Sequence, residues 1–177
     1  KKLKMLSFYF YLLLLTILLL GTTLISTIRA TVLRPNYIIN NLEKINYYDK
    51  VYNSINEEMQ NYLIQSGLTS EVLSNIYTKE DIKNSLNNAI YTFYNNKKVS
   101  VDTNNVKTNL EDNINNYLIK HNIVITEKEG LDLFVKQMEE IYTNEIMISS
   151  KINNFNVYLA KVIKLADIAI IVLGITT

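Results

Sequence analysis

The chain has no cysteine and no tryptophan, and only one proline and four glycines in 177 residues. Without a thiol there is no disulfide scaffold, no thiolate metal site and no cysteine nucleophile. So little Pro and Gly excludes collagen-like, proline-rich and glycine-rich chains. Histidine is limited to His121. Without His-x-x-x-His or Glu-x-x-His spacing, zinc and di-iron sites have no ligand set. Gly-rich phosphate loops, a Gly-x-Ser-x-Gly elbow and an Asp-x-Asp-x-Asp-Gly calcium loop are all missing. No sign of charge dominates. Eighteen basic residues face 17 acidic ones, a formal net charge of +1, so nucleic acid is not expected as a partner. These absences point to a non-enzymatic protein with no catalytic residue, cofactor or metal.

What is present in quantity is Asn and Ile, 24 of each, with 16 Lys against two Arg and 13 Tyr. This bias matches an AT-rich genome. None of the Asn stands in an Asn-x-Ser/Thr acceptor, which favours a bacterial source over a eukaryotic secretory route.

Residues 5–28, MLSFYFYLLLLTILLLGTTLISTI, carry no charge. At ~1.5 Å per residue they make about 36 Å of helix, enough to cross a ~30 Å hydrocarbon core with tilt. Lys1, Lys2 and Lys4 precede the run, and Arg29 and Arg34 follow it. The positive-inside rule places the N-terminus in the cytoplasm. A cleaved signal peptide is the alternative. The run is longer than a signal h-region of ~7–15 residues and no clean small-x-small site follows, so an uncleaved anchor is expected. Phe8, Tyr9, Phe10 and Tyr11 suit an interfacial aromatic belt.

A second apolar run, from Leu165 to Thr177, ends the chain. Extended back over Phe155–Lys164 it becomes long enough for a span, with Lys161 and Lys164 snorkelling to the interface. It reads as the start of a second transmembrane helix. The rival reading is an apolar helix packed on the domain. Asp167 lies three residues from Lys164 on the same face, which suits an ion pair more than a proton relay.

Between these runs the chain is polar and periodic. Pro35 suits the first turn of a short helix carrying Ile38, Ile39, Leu42 and Ile45. Asp49 is a candidate cap for a helix whose stripe is Val51, Ile55, Met59, Tyr62 and Leu63, with Gly67 as its terminator. A short helix is expected around Ser70–Tyr77. Thr78-Lys-Glu-Asp81 resembles a capping box ahead of Ile82, Leu86, Ala89, Ile90 and Phe93. Asp102 or Thr103 opens a helix with Val106, Leu110, Ile114, Tyr117 and Leu118, and Asn122 fits its C′ position. Thr126-Glu-Lys-Glu129 forms a capping box for a helix striped by Leu131, Phe134, Val135, Met138, Ile141, Tyr142 and Ile146. The alternating pieces Val99–Val101 and Ile123–Ile125 could pair as a minimal β-bridge, though each is short for a sheet.

The expected fold is all-α: an antiparallel helical bundle between an N-terminal transmembrane helix and the start of a C-terminal one. Residues 1–29 hold the cytoplasmic flank and first span, 30–157 the extracytoplasmic helical domain, and 158–177 the start of the second span. Lys1, Lys2, Lys4, Arg29, Tyr37, Tyr47, Tyr48, Lys161 and Lys164 form the expected membrane-interface set. The remaining tyrosine of that region, Tyr52, could join them in an aromatic ligand patch. His121 reads as a surface or C-cap residue. The acidic pairs Glu57-Glu58, Glu80-Asp81, Glu111-Asp112 and Glu139-Glu140 read as a helix first turn or solvated faces.

The stretches Asn46-Tyr-Tyr-Asp-Lys-Val-Tyr-Asn-Ser-Ile55, Tyr62-Leu-Ile-Gln-Ser-Gly-Leu68 and Ile76-Tyr-Thr-Lys-Glu-Asp-Ile82 resemble uncharacterised membrane proteins of clostridia and other low-GC Gram-positive bacteria. That resemblance covers most of residues 5–177. It implies an N-terminal anchor, a helical outer domain, further membrane helices and a bacterial cell membrane, and it carries no activity. The expected function is a scaffold or accessory subunit of a membrane complex, with the lipid bilayer and other membrane-protein subunits, or further copies of the chain, as partners. The alternative is the extracytoplasmic sensor domain of a transmembrane receptor.

Overall fold

Six α-helices and one 3-10 turn make up the regular structure among the described residues, with no strand. The computed structural model describes residues 2–31, 34–95, 97–124 and 128–147, and beyond them Tyr158, Lys161, Val162, Lys164, Leu165, Asp167, Ile168 and Ile171, each helical. The expectation of an all-α fold is met at this level. The helices are α1 (Lys2–Ala30), α2 (Pro35–Lys44), α3 (Tyr47–Ser66), α4 (Lys79–Tyr94), α5 (Asn104–Lys120) and α6 (Lys128–Met147), with the 3-10 turn at Ser70–Leu73 between α3 and α4.

Each long helix follows from its stripe. On α3, Val51, Ile55, Met59 and Leu63 recur every four residues, fall on one face and are all buried. Ile82, Leu86 and Ala89 do the same on α4, Val106, Leu110, Ile114 and Tyr117 on α5, and Phe134, Val135, Met138, Tyr142 and Ile146 on α6. These faces meet in one core, to which Val72 is added from the 3-10 turn and Ile76 and Tyr77 from the connection after it. Complete burial of side chains such as Ile55, Met59 or Leu110 stabilises by roughly 1.5–3 kcal/mol each. α3 packs on α6, α4 and α2, while α5 packs on α6 and the 3-10 turn. α2 contributes no fully buried residue, because Ile38, Ile39 and Leu42 are only half covered and Ile45 is exposed.

The helix ends carry the local chemistry. At α4 the Thr78 hydroxyl accepts from the Asp81 N–H, and the Asp81 carboxylate accepts from the Thr78 N–H at 2.8 Å, a complete capping box. Gly67 ends α3 at φ 76°, a left-handed position where a Cβ would be strained. His121 is the C-cap of α5, and Asn122 follows at φ 52°. Asp49 does not cap α3. Asn46 takes the cap with left-handed φ 52°, the helix begins at Tyr47, and the Asp49 carboxylate pairs with Lys79 at 2.7 Å. Thr103 is the cap residue of α5, yet its hydroxyl donates to Glu139 and the Asn104 N–H is accepted by Asp102 at 3.0 Å.

Two further expectations change. The helix around Ser70–Tyr77 is only the 3-10 turn Ser70–Leu73. The turn and the irregular chain after it are held from α5: the Asn113 amide donates to the carbonyls of Val72 and Ser74, and that of Asn109 to Ile76. Side chains thus satisfy carbonyls that a helix would have satisfied. The short alternating pieces form no bridge among the described residues. Val99 is buried, whereas Ile123 and Val124 point to solvent. Ile125 and the Thr126 capping box lie outside the described residues.

Candidate functional site

Met5–Ile28, within α1, is long and apolar enough to cross a membrane, and none of it is buried inside the protein. Its large side chains are bare: Leu6 is 72% exposed and Leu24 63%. Apolar area of this kind lowers its free energy only against another apolar phase. The threonine hydroxyls within it are satisfied locally. The hydroxyls of Thr16 and Thr27 donate to the carbonyls of Leu12 and Thr23, four residues back. Lys1 lies outside the described residues. Lys2, Lys4 and Arg29 are described by their backbone alone.

The tyrosines after α1 are distributed rather than clustered. Tyr37 is 43% exposed at the start of α2. Tyr47 is half-buried, and burial, reinforced by the charge of Glu145, pushes its hydroxyl pKa up. Tyr48 is in the core with its hydroxyl donating to Asn87 at 2.6 Å, so its ring contacts protein. Tyr52 stacks edge-on against Tyr77 at 5.7 Å. At the other end Lys161 sits over the Tyr158 ring at 5.9 Å, and Lys164 is exposed.

His121 is exposed and lies 3.9 Å from Glu71. The ammonium of Lys120, hydrogen-bonded to the same carboxylate, holds Glu71 below its ordinary pKa. Glu111 and Glu140 each pair with a lysine four residues before, Lys107 and Lys136, on exposed faces. No group of three metal-ligating side chains converges among the described residues.

Among the described residues, the cavities of the helical domain include the following two. The first, about 100 Å³, is apolar and lined by Ile38 and Leu42 of α2, Leu86, Ala89, Ile90, Phe93 and Tyr94 of α4, Val99, and Ile146 of α6. The second, about 180 Å³, is the more polar of the two, with a lining about equally polar and apolar. Asp81, Asn84 and Ser85 line it from the first turns of α4, Asp102, Asn105 and Val106 from the start of α5, Tyr142 from α6, and Ile76 and Tyr77 from the connection. Tyr142 is 1% exposed and its hydroxyl lies 3.2 Å from that of Ser85. Burial is the main cause raising the Tyr142 pKa, with the Ser85 hydrogen bond opposing it and the charges of Asp81 and Asp102 adding to it. Tyr77 is raised further, by burial first and then by Tyr52 and Tyr142. Its hydroxyl donates to Asn56 at 2.6 Å.

No family model, curated protein or solved structure matches this chain.

The polar cavity was not apparent as a unit in the sequence. Asp81 read as a cap partner, Asp102 as a helix opener and Tyr142 as a stripe residue. A weak signal was present: Asp81, Asn84 and Ser85 form a polar row at three- and four-residue spacing directly beside the Ile82–Leu86 stripe. Asp102 and Asn105 repeat that spacing at the next helix start.

Proposed function

We propose that the chain is a non-enzymatic, membrane-anchored protein of a bacterial cell membrane, with its helical domain as a scaffold or accessory subunit of a membrane complex. The bare apolar surface of Met5–Ile28 is the observation that carries this reading. With Lys1, Lys2 and Lys4 ahead of it, the N-terminus is cytoplasmic and residues 30–157 are extracytoplasmic. Residues 31–160 hold 12 basic and 16 acidic side chains, a net −4 that suits a solvated outer domain. The domain is an antiparallel bundle in this reading. In support, Lys83 of α4 pairs with Glu43 near the end of α2, while Tyr91, later on α4, bonds Asn36 at the start of α2. Likewise Tyr62 late on α3 stacks on Phe134 early on α6, and Tyr47 early on α3 feels Glu145 late on α6. The C-terminal apolar run begins a second transmembrane helix at about residue 158, with Lys161 and Lys164 at the interface.

The native chain lacks cysteine, so single substitutions report cleanly. Lys97→Cys is expected to react with an impermeant maleimide in intact cells and Lys1→Cys only after lysis. The reverse pattern would sink the topology. Native mass spectrometry from gentle detergent should show the chain in a defined stoichiometric assembly. A lone monomer would count against the subunit reading.

The polar cavity favours a second reading, that the domain is the sensor of a transmembrane receptor. A signalling module encoded after Thr177 would select it over the scaffold.

A further inference from the structure

We propose that the end of the helical domain where α1 joins it holds one anionic phospholipid. The upper part of an acyl chain occupies the apolar cavity, and the phosphate sits among Arg34, Lys97 and Lys98. This deepens the membrane-anchored reading and rests on it. The cavity, about 100 Å³, lies between Ile38 and Leu42 of α2 and Leu86, Ala89 and Phe93 of α4, with Val99 also in its wall. Its lining is almost wholly apolar. Ile38 and Leu42 are only half covered, because the space they face is not filled by protein. Close-packed interiors rarely leave such a void. An apolar cavity of ~150 Å³ stays dry and takes up benzene, so this one suits a short run of methylene groups.

Unpaired positive charge gathers at the same end. Arg34 is the cap residue of α2, one turn before Ile38. The Tyr91 hydroxyl, late on α4, donates to Asn36 in the first turn of α2, so the end of α4 lies beside the start of α2. The Lys97 N–H then bonds back to the Thr92 carbonyl at 3.1 Å, which keeps Lys97 and Lys98 at that end, directly before Val99. Arg34, Lys97 and Lys98 are exposed, and none has an ion pair among the described residues. Glu145, the neighbour of Ile146 in the cavity wall, acts on Tyr47 at the start of α3. Tyr37 and Tyr91, 43% and 41% exposed, add rings of the kind that settle at headgroup level.

The occupant must therefore join a carbon chain to a negative group. A neutral apolar molecule would leave the three cations unused, and a polar anion would gain nothing from the cavity. A phospholipid carries both parts on one molecule, with the phosphate close to the first methylenes of its chains. An anionic headgroup suits three cations better than a zwitterionic one, whose own ammonium offsets the phosphate. The bilayer that receives Met5–Ile28 would supply such a lipid where α1 enters the domain.

The test places the full chain in phosphatidylcholine nanodiscs doped with a photoreactive lipid, either phosphatidylglycerol or phosphatidylcholine, whose acyl chain carries a diazirine near its ester. After irradiation, mass spectrometry maps the labelled peptides. Label is expected on α1 and on residues 86–99, with the phosphatidylglycerol probe labelling 86–99 roughly fivefold or more over phosphatidylcholine. Ala89→Phe fills the cavity and should cut the label on 86–99 roughly tenfold while α1 keeps its own. Arg34→Gln, Lys97→Gln and Lys98→Gln combined should cut phosphatidylglycerol labelling of 86–99 by roughly fivefold or more. A far-UV melt of each variant separates loss of the site from loss of fold, and the smaller Ala89→Leu serves if Ala89→Phe unfolds. Label on α1 with none on 86–99, equal labelling by the two headgroups, or label on 86–99 unchanged in either variant would overturn the lipid site and leave the anchor standing. No label on α1 would overturn the membrane reading and the site with it.

Discussion

Tyr142 and Tyr77 place two hydroxyls inside the core, their rings 5.4 Å apart, and both are harder to ionise than in water. The folded-state pKa lies above the unfolded value of 10.0 in each case. A raised pKa gives stability that is complete below pH 10 and is lost as pH rises through the folded value. Alkaline titration followed by circular dichroism should therefore show the melting temperature falling above about pH 10. Tyr142→Phe should flatten that fall. At the same scale, Met59→Ala should cost about 2–5 kcal/mol by chemical denaturation, because the residue is fully buried and its removal leaves a cavity. Ile64→Ala, five positions on and 75% exposed, should change stability by less than about 0.5 kcal/mol. The difference between these two residues was legible in the sequence, since Met59 continues the four-residue repeat and Ile64 breaks it. The meeting of Ser85 with Tyr142 was not, because a contact 57 positions apart leaves no trace in local periodicity.

Among elements, α4 is the best specified. Its capping box and its buried stripe agree, and the box satisfies the N–H groups of Thr78 and Asp81 at the helix start. Thr78→Ala removes the acceptor for the Asp81 N–H and should cost about 1 kcal/mol, read as a lowered denaturation midpoint. Gly67 and Asn122 were recognisable as helix terminators because few residues tolerate positive φ. Asn46 and Asn75 use the same backbone region and escaped notice. In a chain with 24 Asn, composition hides which ones are placed for geometry. The same holds for Asn109 and Asn113. Their four-residue spacing is a helical row, but its task is to hold the carbonyls of a remote loop. The supposed cap at Asp49 failed because the asparagine three positions earlier supplies the turn by itself.

At the scale of the whole molecule, the core and the apolar helix α1 are separate. The core cluster contains no residue of α1. The near-neutral total charge hides a basic flank beside the first apolar run and a net-acidic region after it. A truncated chain comprising residues 34–147 should stay soluble and melt cooperatively, measured by circular dichroism and size-exclusion chromatography. Aggregation of that truncation, or loss of its helical signal, would show that the apolar helix is needed for the fold. The all-α class and the 5–28 run could be read from hydropathy alone. The packing order could not, because stripes reveal which faces are buried but not which faces meet.

α1 and α2 are joined through Thr31 and Arg34, whose backbone N–H groups bond back to Thr27 and Thr31. Any tension along α1 therefore arrives first at α2, the helix with no fully buried residue. Its main polar ties are Tyr91 to Asn36 and Lys83 to Glu43, both on exposed surface. These would be loaded one after the other, like a seam, and α2 would peel from α4 before the strain reached Ile55 or Met138. The domain thus has a mechanical fuse on the side of α1, where thermal melting alone would never reveal it.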